Sequence, residues 1–111
     1  MSRPLTQRER AVLDALLAVE FEGVEQLRNE ATGAVVVGGC DCGCPSIDFH
    51  NEPGIGMHVR VNAQVDGTLD GLFLYTVGDR LGGIEWVGSS EHDDPVQLPD
   101  PAILIISPAS G

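Results

Sequence analysis

Lysine is absent from this chain. Its six basic residues are all arginine and face seventeen acids, for a formal charge of -11. Such a field repels phosphate backbones and anionic headgroups, which argues against nucleic-acid and membrane binding and for a basic protein partner or a cation. Long apolar runs are missing too, and nothing approaches the roughly 18 residues of a bilayer span. The stretch from Met1 to Arg10 lacks the apolar centre of a secretory leader, so the expected location is cytoplasmic. Glycine-rich phosphate loops are also lacking: Gly38-Gly39 is followed by no G-x-G-x-x-G or P-loop pattern. Cysteine is scarce, with three residues. An odd number cannot pair off within one chain, and a reducing compartment keeps such thiols reduced.

What remains reads as one small domain. With 111 residues and a mean hydropathy of +0.05, the chain can bury a core without disulfides or metal. Thr6-Gln7-Arg8-Glu9 is a capping box. Behind it Val12, Leu13, Leu16, Leu17 and Val19 recur at helical spacing, which predicts a helix over 7–20. Val24, Leu27 and Ala31 mark a second helix ending near Thr32-Gly33. The solvent face of the pair carries Glu20, Glu22, Glu25 and Glu30.

From Ala34 the pattern changes to strands. Ala34 to Val37 is β-branched, and Ser46 to His50 is a second short strand. Met57 to Val65 alternates, placing Val59, Val61, Ala63 and Val65 on one side and His58, Arg60, Asn62 and Gln64 on the other. Asp66-Gly67 suits a hairpin turn. Leu69 to Val77 is apolar on both faces, as a central strand would be. Leu81 to Val87 follows with Ile84 and Trp86 opposite Glu85, and Ala102 to Ile106 closes the chain as a strand or a segment under the sheet. The expected fold is α+β: a helical pair over 7–32 on a mostly antiparallel meander of four to six strands over 34–106, all in one domain, 1–111.

One segment has the ingredients for chemistry. Cys40, Cys42 and Cys44 are spaced C-x-C-x-C, and in an extended backbone residues two apart point the same way. Three sulfurs leave one position of a tetrahedral zinc to fill, for which His50 is the first candidate, with His58, Asp41 and Asp48 as others. Against zinc stands the missing second ligand pair; Gly43 and Pro45 also favour a bend that needs no metal. Asp41 and Asp48 raise thiol pKa values, which disfavours a nucleophilic or redox cysteine, including a Cys44–His50 pair. His92, among Glu91, Asp93 and Asp94, reads as a solvated loop.

Leu5-Thr6-x-Arg8-Glu9, Phe21-x-Gly23 and Cys42-Gly43-Cys44-Pro45-Ser46-Ile47-Asp48 together resemble a group of small actinobacterial proteins. These pair an L-T-x-R-E helix with a C-x-C-G-C-P-[ST] turn and a later D-G-x-L-x-x-[IL]-E hairpin, approximated here by Asp79 to Glu85. The resemblance implies a stand-alone domain and carries no activity with it. By analogy of size and charge alone, immunity proteins of secreted toxins are similar. The expectation is a non-catalytic interaction module. It would engage a basic partner through the acidic helix face, or a second copy through a sheet edge and the Ile-rich C-terminus. A zinc module and a cysteine enzyme or redox sensor are the alternatives.

Overall fold

The computed structural model describes residues 2–39, 45–50, 56–88 and 97–109. Helix α1 runs Gln7–Leu16, opened by the expected capping box. The Glu9 amide donates to Thr6 Oγ1 (3.1 Å) and the Thr6 amide to Glu9 Oε1 (2.8 Å). The two terminal nitrogens of the Arg3 guanidinium donate to the same carboxylate, at 2.8 and 2.9 Å, as a bidentate fork. The helix ends at Leu16, short of the expected residue 20, and the carbonyl of its C-cap residue Leu17 accepts from Arg28 Nε at 2.7 Å. Helix α2, Val24–Ala31, follows.

Strand β1 (Arg3–Pro4), which no sequence pattern announced, pairs with β2 (Val35–Val36), inside the strand expected over 34–37, as a two-stranded ribbon. The remaining strands are β3 (Gly38–Gly39), β4 (Ile47–Asp48), β5 (Met57–Val65), β6 (Gly71–Val77), β7 (Arg80–Val87) and β8 (Leu104–Pro108). Among the described residues they form one antiparallel sheet in the order β3-β4-β7-β6-β5-β8. The fold is α+β, as expected. β6 is central, and β5 turns into it at Asp66-Gly67, where Gly67 has φ +78°. β8 is an edge strand beside β5, led in by a 3-10 turn at Pro101–Ile103.

The helices cover one face only. Val12, Leu13 and Leu16 of α1, with Val24 and Leu27 of α2, pack on Val61, Leu72, Leu74, Leu81, Ile84 and Trp86. The segment that leads into β8, from residue 97, lies against the helical layer. There Leu98 is buried in the core and its carbonyl accepts from Arg8 Nη1 at 3.1 Å. No helix among the described residues is long and apolar enough to cross a membrane.

Two expectations are corrected. The register of β5 against β6 slips between Val59 and Val61, because Arg60 is an extra, bulged residue. The alternation of β5 therefore breaks: Val59 shares the open face with Tyr75, while Arg60 turns to the helical side and donates to Thr76 Oγ1 at 3.0 Å. Glu30 is not a free acid of the helix face. Its Oε1 accepts the Leu81 amide at 3.0 Å and lies 3.5 Å from Arg80 Nε, tying α2 to β7.

Candidate functional site

Cys40, Cys42 and Cys44 lie outside the described residues, as does His92. The β3–β4 ladder, Gly38↔Asp48 and Gly39↔Ile47, joins the segments that flank the cysteine run. His50 is half-buried, two residues beyond Asp48 on the side of β4 away from Pro45. His58 is exposed on β5, with Arg60 Nη2 3.5 Å from its Nδ1. No group of three His, Cys, Asp or Glu side chains among the described residues is arranged to hold a metal ion.

The face of the sheet opposite the helices is more informative. No described element covers it, and it presents Met57 (43% exposed), Val59 (38%), Val87 (50%) and Ile105 (57%). Register defines two neighbouring rows across it. One runs Asp48–Gly83–Tyr75–Val59 over four strands; the next runs Glu85–Phe73–Asn62–Ser107. Two carboxylates thus flank two aromatic rings on an otherwise apolar or neutral surface.

Glycines set the geometry. A Cβ on Gly82 would stand 2.5 Å from Tyr75 Cε2, and one on Gly83 would stand 2.7 Å from the Tyr75 hydroxyl and 2.5 Å from the Ile47 carbonyl. The Tyr75 ring therefore lies over the bare backbone of β7, a position that side chains there would deny it. Stretched across, its hydroxyl donates to Asp48 Oδ1 at 2.9 Å. Phe73 stands beside it with ring centroids 6.2 Å apart and planes inclined by 58°.

The electrostatics follow from partial burial without an arginine nearby. Burial pushes the Tyr75 phenol well above its usual range, reinforced by the bond to Asp48 and the charges of Asp48 and Glu85. The Glu85 carboxyl is raised as well, first by burial and then by the charge of Asp48. Every arginine has its partner elsewhere: Arg3 on Glu9, Arg8 on Leu98, Arg10 on the Ala31 carbonyl, Arg28 on Leu17 and Glu20, Arg60 on Thr76, and Arg80 on Glu30.

The sequence reading missed this site. Its one legible signal was Gly82-Gly83 inside a strand, a mark of close approach to a backbone. No protein-family description matches the chain, and neither a curated protein nor a solved structure is significantly similar to it.

Proposed function

We propose that this chain is a non-catalytic interaction module that docks a partner protein on the open face of its sheet. The observation that supports this reading is the apolar surface around Val59, Tyr75 and Ile105, which no described element covers, on a chain of net charge -11. Catalysis is disfavoured by the same chemistry. A phenol pushed up by burial stays protonated and spends its proton on Asp48, so it serves poorly as a base or nucleophile. The acidic helix face is the weaker candidate surface, since Glu20 and Glu30 are already committed to Arg28 and Arg80.

Photo-crosslinking in the source cells tests the proposal. With p-benzoylphenylalanine at Val59 or Ile105, a discrete protein adduct is expected; at Glu25 on α2, none. Adducts from Glu25 alone would overturn it, and so would the absence of adducts from all three positions. Adducts between two copies of this chain would make the partner a second protomer.

A further inference from the structure

Resting on that interaction reading, we infer that the partner presents an arginine whose guanidinium lies on the Tyr75 ring and is held between Asp48 and Glu85. Two observations converge on this chemistry. The ring is laid over Gly82 and Gly83 and tilted against Phe73, which makes an aromatic platform. A planar guanidinium stacks on such a platform while it bonds carboxylates at its edge, which a compact ammonium does less well. Asp48 gives only part of its acceptor capacity to Tyr75, and an ionised carboxylate has several lone pairs to offer.

Charge complementarity selects the occupant. Asp48 and Glu85 stand on adjacent rows of a half-buried face with like charge, and the Glu85 carboxyl is raised first by burial and then by the charge of Asp48. None of the chain's six arginines relieves them, because each is bonded elsewhere. A local cost left uncompensated inside a consistent fold is where function is expected. A second copy is a poor occupant, since it would bring another -11 and a second pair of carboxylates against the first. An arginine set among apolar side chains matches both the charge and the surface around it.

The test is an NMR titration of the intact chain with three capped tripeptides: Val-Arg-Val, Val-Lys-Val and the neutral isostere Val-citrulline-Val. The arginine peptide should give saturable shifts at Asp48, Phe73, Tyr75 and Glu85, with affinity about tenfold above the citrulline peptide and several-fold above the lysine peptide. The double variant D48N/E85Q should lose about tenfold in affinity. E22Q/E25Q, which removes the same charge from the helix face, should lose less than about twofold. Equal shifts with citrulline would overturn the arginine and leave the face as an apolar docking surface. Equal losses in the two double variants would reduce the effect to net charge and overturn it as well. No shifts on this face with any peptide would also overturn the inference, while the crosslinking result judges the broader reading separately.

Discussion

Glu9 is a buried glutamate and Glu85 a half-buried one, and their surroundings move them in opposite directions. The carboxyl of Glu9 is held below its ordinary value of 4.5, chiefly by Arg3, with burial opposing and the Thr6 amide assisting. The unfolded chain therefore takes up this proton at a higher pH than the native one. Its stabilisation is full above the ordinary value and is lost as pH falls through the native one. E9A, which deletes the carboxylate half of the capping box and the ion pair while keeping the amide bond to Thr6 Oγ1, should cost about 1 to 2 kcal/mol in urea unfolding. E9Q should recover part of that by still accepting the Thr6 amide, and it should flatten the acid limb of the stability profile. Glu85 reverses the sign. Its native carboxyl is raised by burial and by Asp48, so the native state holds a proton that the unfolded chain has released, and stability drains away as pH rises from the ordinary value through the raised one. E85Q should therefore leave stability near neutrality unchanged or higher by up to about 0.5 kcal/mol, and abolish that downward slope. A loss of more than about 1 kcal/mol would mean that Glu85 holds the fold together.

At the scale of elements, strand β7 is shaped by what it omits. Gly82 and Gly83 leave room for the Tyr75 ring above the strand and for the Ile47 carbonyl beside it. G83A should cost about 1 to 3 kcal/mol, because one of its close neighbours is backbone and cannot swing away. Y75F, which removes only the hydroxyl bond to Asp48, should cost about 0.5 to 1.5 kcal/mol. G83A should also displace the ring, seen as lost contacts between Tyr75 and β7 in NMR spectra; an undisturbed ring in a stable G83A protein would contradict the platform geometry. The same elements show what could be read beforehand. The capping box, the central β6 and the opposition of Glu85 to Ile84 and Trp86 followed from local pattern, because each rests on residues a few positions apart. Strand β1 and its pairing with the expected strand at Val35–Val36 did not, since two residues carry no periodicity. The bulge at Arg60 was hidden for another reason: the alternating sequence of β5 is compatible with an unbroken strand, and the slip shows only in its pairing with β6, where Arg60 bonds Thr76. The cysteine run drew attention because three soft ligands stand side by side in the sequence. The aromatic platform escaped it because its parts come from β4, β6 and β7.

Across the whole molecule the arginines face the helical layer while the open sheet face keeps its carboxylates. With a net charge of -11 and a radius of gyration of 13.0 Å, the reach of each charge decides how the molecule responds to salt. At about 0.01 M the Debye length is near 30 Å, longer than that radius, so every acid feels every other; at about 0.15 M it is near 8 Å and only neighbours interact. Screening should therefore relieve more self-repulsion than the three described arginine–carboxylate pairs lose, two of which are mostly exposed on at least one partner. The melting temperature is expected to rise across that range. Affinity for the Val-Arg-Val peptide is expected to fall over the same interval, since its guanidinium is drawn by the field that destabilises the free protein. Stability and binding would then answer salt with opposite signs, measurable by calorimetry and by titration on one sample series. A melting temperature that drops with salt would mean that the arginine pairs outweigh the acidic excess. An affinity that does not change would leave the peptide held by apolar contact alone, with no part for Asp48 and Glu85.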